Sequence, residues 1–223
     1  MEKIAVIYTD FNDKFGLPRQ SGLVSGLTGC IVMEKQFRRP EAFRELEGFS
    51  HIWLLWLADK AESADFQPTV RPPRLGGNKR VGVFASRSPF RPNSIGLSVV
   101  KLLKIDYEAP NGPLLYVDGI DMLNGTPVLD IKPYIKASDC IPSASCGYAE
   151  HTALEETKVI ADEALLKDIP EDDRKVIIAL LKEDPTPRYI DNEERTFGFK
   201  YAGYEIRFSK AGRTINLLSI VKE

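Results

Sequence analysis

The sequence predicts a mainly β protein, an antiparallel barrel followed by a small α+β unit. In the first two-thirds, β-branched and aromatic residues gather in short runs separated by Gly, Pro, Asn and Asp. No amphipathic helix of ten residues or more alternates with these runs. A doubly wound parallel sheet would need such helices as crossovers, so directly successive strands argue for an antiparallel barrel or sandwich, and the barrel is expected. After Tyr148 the pattern changes to apolar residues at helical spacing.

In chain order, strands are expected at residues 4–8, 30–33, 51–57, 81–85, 95–105, 114–121 and 128–134. Asn111-Gly112 marks a hairpin turn where a positive φ is needed. Only residues 41–46, behind Pro40, read as a short helix in this half. Helices are expected at 150–166 and at 171–181, the second opened by Pro170. Residues 196–208 then alternate and 214–221 are strand-like, with Lys210-Ala211-Gly212 as the turn of a closing hairpin. The expected division is a barrel domain over residues 1–148 and a small helical and hairpin domain over 149–223.

Composition places the chain among folded globular proteins, with 43% hydrophobic and 28% charged residues. The longest apolar run, 52–58, is far short of a bilayer span. The start, MEKIAVIYTD, lacks the basic and apolar regions of a signal peptide, so a cytoplasmic protein is expected. Three cysteines fit neither a disulfide scaffold nor a CxxC zinc site, and two histidines a hundred positions apart offer no metal pairing, so no metal is expected. Charge is unevenly distributed. Residues 66–105 contain no Asp or Glu but eight Lys or Arg, whereas 150–195 hold fourteen acids against seven bases.

The acid-free stretch includes TVRPPRLGGNKRVGVFASRSPFRPNSIGLS (69–98), where Pro72-Pro73 and Gly76-Gly77 force a loop. Arg87 and Arg91 flank Ser88-Pro89-Phe90, which puts guanidinium forks, a hydroxyl and an aromatic face close together, with the Asn93 amide two residues on. That composition suits a ligand or nucleic acid; a rigid solvated loop is the plainer alternative. In DMLNGTPVLDIKPYI (121–135), Asp130, Lys132 and Tyr134 share one strand face, as a proton-transfer row or an ordinary exposed face would. FGLPRQSGL (15–23) is a Gly- and Pro-punctuated loop carrying Arg19 and Gln20. In FSHIWLLW (49–56), His51, Trp53 and Leu55 share a face.

KFGLPRQ, FSHIWLLW, the 69–98 segment and DGIDMLNGTPVLDIKPY, taken in that order, resemble the signature blocks of the TsaA-like (YaeB/TrmO-type) tRNA methyltransferases. The likeness spans about residues 4–148, and DPTPRY with the final hairpin resembles the family's bacterial C-terminal extension. The resemblance implies methylation of N6 of threonylcarbamoyladenosine beside the anticodon, at position 37 of tRNA, with S-adenosylmethionine as cofactor. It also implies a barrel without a Rossmann domain, and a homodimer with the cofactor near its interface. Cofactor contacts are then expected at Pro18, Arg19 and Gln20, at Asp59 and Lys60, at Arg87 and Leu97, and on the turn Asn124, Gly125, Thr126 and Pro127. Asp59-Lys60 stands where relatives have His-Gln, and Asn124 where Asp is commoner.

For the chemistry, an amine nitrogen conjugated to adenine is a poor nucleophile, so Asp130 and Tyr134 are the expected proton acceptors. Lys132 or an arginine would orient the threonyl carboxylate. Arg71, Arg74, Lys79, Arg80 and Arg91 are the expected contacts to the anticodon loop of tRNA. A non-catalytic RNA-binding barrel is the alternative from another functional class.

Overall fold

The structure, a computed structural model, describes residues 1–61, 66–72, 75, 79–150, 157–186 and 195–223. Its first part comprises β1 (Ala5–Tyr8), β2 (Thr28–Met33), β3 (His51–Leu57), β4 (Thr69–Val70), β5 (Val81–Gly82), β6 (Ile95–Asp106), β7 (Leu114–Asp118), β8 (Thr126–Pro133) and the single turn α1 (Lys136–Asp139). Six of these strands close into a barrel in the order β1-β2-β7-β6-β3-β8, every pairing antiparallel. The expected barrel is thus present.

The alternation read in the sequence is what fills it. In β1, Ala5 and Ile7 point inward and are fully buried, while Tyr8 faces solvent; Ile31, Ile52, Leu54, Val100, Leu115, Val117 and Val128 do the same on the other strands. Each buried Val, Leu or Ile among them contributes about 1.5–3 kcal/mol by leaving water. β3 sits between β6 and β8, with Leu55 opposite both Leu97 and Asp130.

Four expected features differ. Asn111-Gly112 does lie between β6 and β7, but neither residue takes a positive φ. Residues 81–85 form two residues of strand and then a 3₁₀ turn, Val83–Ala85, because Gly82 ends the pairing and the Ser86 hydroxyl donates to the Val83 carbonyl at 2.8 Å. Residues 41–46 give two separate 3₁₀ turns, broken where Glu45 adopts φ 69°. The helix expected at 150–166 is replaced, where described, by β9 (Lys158–Ile160) and the short α2 (Glu163–Leu166). There the β-branched pair Val159-Ile160 runs parallel to a later strand, and Asp162 starts a new helix by accepting from the Ala164 N–H at 2.9 Å. Residues 151–156 lie outside the described residues.

The remainder is α3 (Glu171–Lys182), β10 (Thr196–Tyr201), β11 (Tyr204–Ala211) and β12 (Thr214–Lys222). α3 opens after Pro170 with Glu171, Asp172 and Asp173 in its first turn, where acids suit the helix dipole, and buries Val176, Ile177, Leu180 and Leu181. The strands form a four-stranded sheet in the order β10-β11-β12-β9.

The loop between β1 and β2 is held between barrel and sheet. Phe15 stacks on Phe197 and Phe208 with ring centroids 6.2 and 6.5 Å apart, and Phe11 lies 5.6 Å from Tyr201. Gly16, at φ 90°, sits so close to Phe199 that a Cβ there would come within 2.6 Å of its ring. Barrel and C-terminal residues consequently belong to one contiguous set of buried side chains.

Candidate functional site

A cleft of about 1360 Å³ opens at one end of the barrel. One wall is the tip of the β1–β2 loop, with Pro18, Arg19 and Gln20; another is the end of β3 with Trp56, Asp59 and Lys60. The 67–93 segment supplies Arg71, Arg80, Arg87 and Arg91, the start of β6 supplies Leu97, and Thr126 stands at the start of β8. Segments far apart in sequence thus meet on one cavity.

Each wall has a local cause. Gly96 lies face to face with the Trp56 indole, where any Cβ would collide with the ring, so β6 and β3 are locked flush at the cleft edge. The turn at 124–126 takes φ 82° at Gly125. Its N–H groups are already engaged: Asn124 N donates to Phe11 O (2.7 Å), Gly125 N to Ile7 O (2.9 Å) and Thr126 N to Leu123 O (3.2 Å). Asn124 also accepts from Thr9 N at 3.2 Å and donates through Nδ2 to Asn12 Oδ1 at 3.1 Å, and an Asp there could not make the second bond. Asn124, Gly125 and Pro127 support the cleft from behind and do not line it.

Asp121, which sequence reasoning passed over, also lines the cleft. Its carboxylate accepts a 2.6 Å hydrogen bond from the Ser98 hydroxyl, which in turn accepts from the Trp56 indole N–H at 3.0 Å. Burial pushes the Asp121 carboxyl above its ordinary value, opposed by the bonds from Ser98 and the Ser21 backbone and by the Arg87 charge. One carboxylate therefore ties the loop beside Gln20, the strand beside Leu97 and the segment leading to Thr126. The signal available in the sequence was an acid inside the apolar run GIDML.

The basic residues divide. Arg80 is spent on Thr69, with Nε donating to Oγ1 at 2.7 Å and Nη2 to the carbonyl at 3.1 Å. Arg91 staples its own loop by donating to the Ser86 and Ser88 carbonyls at 2.9 and 3.4 Å. Arg71 and Arg87 line the cleft and are exposed; Lys79 is exposed outside it, and Arg74 lies outside the described residues. Arg19 donates to the carbonyls of Asp184 (3.1 Å) and Thr186 (3.4 Å), joining the cleft wall to the C-terminal part. Asp184 is itself held by Lys210 at 2.7 Å.

Asp130 and Lys132 on the outer face of β8, and Tyr134 just past its end, do not line this cleft. Asp130 pairs with Lys132 at 2.9 Å, and Tyr134 packs near Trp53 with centroids 5.9 Å apart. The register puts Asp130 and Leu97 on either side of Leu55, so the row lies two strand spacings, ~10 Å, from the cleft edge. Among the described residues, no three of His, Cys, Asp and Glu gather as a metal site requires, and no helix is long and apolar enough to cross a membrane.

The cleft's donor set suits S-adenosylmethionine: apolar Leu97 and Pro18 for an adenine face, Asp59 for ribose hydroxyls, and Gln20 and Arg87 for the amino-acid end. Comparison with known proteins agrees. The chain is 36% identical over 215 residues to the tRNA (adenine(37)-N6)-methyltransferase of Escherichia coli (strain K12), which covers 93% of this chain and 91% of that protein. It is 42% identical over 160 residues to that of Eikenella corrodens, 72% of this chain and 90% of the relative. The crystal structure of TrmO from Pseudomonas aeruginosa superposes with a TM-score of 0.75 at 29% identity, covering 98% of this chain and 97% of that one. The family model of the tRNA-methyltransferase O N-terminal domain matches residues 6–140. That span runs from β1 through α1 and takes in all six barrel strands and most of the cleft walls, so the chain belongs to the tRNA-methyltransferase O family.

Proposed function

We propose that this protein methylates N6 of adenine 37 in tRNA, on the threonylcarbamoyl form of that nucleoside, with S-adenosylmethionine as methyl donor, in the cytoplasm. The observation that carries the reading is the convergence of Pro18, Arg19, Gln20, Asp59, Lys60, Arg87, Leu97 and Thr126 on one cleft. When bound there, S-adenosylmethionine supplies an electrophilic methyl group. The chain's own residues align and exclude water: Leu97 and Pro18 pack against the cofactor, Asp59 takes hydroxyls, and Asp121 fixes the three walls relative to one another. Residues 1–148 would carry the chemistry and 149–223 would hold the Arg19 loop in place.

Asp130 and Tyr134 are the proposed proton acceptors for N6, and Lys132 orients the threonyl carboxylate. For this the row has to reach a cleft. The outer stripe of Leu97, Leu55, Val99 and Trp53 runs from the cleft edge to the row, and a second copy seated on it would bring one protomer's row toward its partner's cleft. A homodimer of about twice 25.0 kDa by light scattering is expected. The deciding experiment is nucleoside mass spectrometry of tRNA incubated with protein and donor. A methyl group gained on threonylcarbamoyladenosine supports the proposal; no gain, together with no heat of cofactor binding, would leave an RNA-binding barrel in its place.

A further inference from the structure

The cleft is larger than one cofactor needs, since pockets for ligands of that size run about 300–1000 Å³. The acid-free segment lines much of this cleft, and there two aromatic rings are held out to solvent. Phe84 is 75% exposed and Phe90 48%, and both line the cleft. Two exposed rings on the wall of one cleft, bordered by guanidinium groups, make a polar-rimmed apolar patch of the kind that marks a binding surface.

The segment carrying them is fixed. Val83 is buried and anchors the 3₁₀ turn that raises Phe84, while the Ser86 hydroxyl closes that turn. Ser88 N donates to Ser86 Oγ and Phe90 N to Ser88 Oγ, each at 3.3 Å. The Arg91 guanidinium, spent on carbonyls of the same loop, lies 5.9 Å from the Phe84 ring centroid. The rings are thus presented in place, with their ordering cost met by the fold before any ligand arrives.

We infer that Phe84 and Phe90 form a stacking platform for unstacked bases of a single-stranded RNA loop. Rigid aromatic faces interleaved with cations, in a stretch free of carboxylates, are what such strands require: rings for the bases, and Arg71 for a phosphate. Bases inside a duplex cannot offer their faces, so the platform selects loops over stems. The inference rests on the tRNA reading above and names the element that would hold the target nucleoside's neighbours.

The test uses the full chain and a fluorescent RNA stem–loop, with the same strand annealed to its complement as a duplex control. Phe84→Ala and Phe90→Ala are each expected to weaken stem–loop binding about 5- to 150-fold, the range set by aromatic–base stacking. Duplex binding and the melting shift produced by S-adenosylhomocysteine should be unchanged, which excludes misfolding. Phe84→Trp should restore stem–loop affinity and Phe84→Leu should not. The platform is overturned if both alanine variants bind the stem–loop like the wild type. It is equally overturned if Phe84→Ala halves the mass seen by light scattering, because the ring would then cover a second copy. A wild-type protein that binds the stem–loop through these rings but shows no melting response to S-adenosylhomocysteine would remove the methyltransferase reading and leave the platform standing.

Discussion

Replacing Asp121 by Asn keeps the side chain's shape and removes its charge, which separates what the carboxylate does for the fold from what it does for the cleft. Burial holds this carboxyl above its ordinary value of 3.8. A group whose proton affinity is raised by folding contributes stability below pH 3.8 and loses it as pH rises through the folded value, at about 1.4 kcal/mol for each tenfold change in proton affinity. At neutral pH the ionised Asp121 is therefore a cost that the neutral amide of D121N would not carry. Against this, the bonds from Ser98 and from the Ser21 backbone fall from the charge-assisted range of about 1.5–3 kcal/mol to about 0.5–1.5 kcal/mol each. The two effects are of similar size, so D121N should melt within a few degrees of the wild type at pH 7. The gap between the two proteins should shift in favour of D121N as pH is raised from about 4 upward. Cofactor affinity has no such compensation: with the tie slackened, the loop beside Gln20 and the strand beside Leu97 lose their shared anchor. S-adenosylhomocysteine should bind about tenfold more weakly, or about 1.4 kcal/mol by calorimetry. Ser98→Ala should mimic this, and the double variant should be less than additive. Unchanged affinity in D121N with a melting temperature lowered by ten degrees or so would mean that Asp121 is a fold residue with no bearing on the cofactor.

Gly16→Val is expected to destabilise by about 2–5 kcal/mol, from a positive φ and a collision with Phe199, and to show as a large drop in urea midpoint. Burial alone would raise Asp184, but the Lys210 ammonium and the Thr186 hydroxyl overcome it and hold the carboxyl below its ordinary value, so its contribution is present above pH 3.8 and lost as pH falls through the folded value. Lys210→Met should weaken that acid limb in thermal melts and, through Arg19, raise the cofactor KM several-fold with kcat little changed. Arg71→Ala should lower the salt slope of tRNA binding by about one, whereas Arg80→Ala and Arg91→Ala, whose guanidinium groups are spent within the loop, should loosen the 69–91 segment in hydrogen exchange without that slope change.

The barrel was legible because its strands alternate cleanly, as Ala5 and Ile7 do against Tyr8, and because no amphipathic helix long enough for a parallel crossover is read between them. Within the helix expected at 150–166, residues 158–160 form a strand instead, since Val159 and Ile160 fit helical spacing equally well and only their pairing with β12 decides for strand. The cleft walls were legible as motifs through the family likeness, not through spacing. Period two correctly put Asp130, Lys132 and Tyr134 on one face, but it could not say that this face lies outside the cleft, with β3 between it and Leu97. Asp121 was hidden because its partners, Ser21 and Ser98, are distant in sequence and ordinary in composition.

The aromatic seam between the β1–β2 loop and the C-terminal sheet bears on how the chain can be divided. Cut after Tyr148, the barrel would keep all its strands, yet Phe11, Phe15 and the backbone at Gly16 would lose the aromatic rings that cover them and turn in part to water. The exposed rings would sit on the loop that presents Pro18 to the cleft. A shortened enzyme would thus be expected to aggregate and to lose the shape of its cofactor wall together. Any homologous chain that carries the barrel without this sheet has to cover the same loop by other means, through smaller residues at positions 11 and 15 or through a different cover built elsewhere in its sequence.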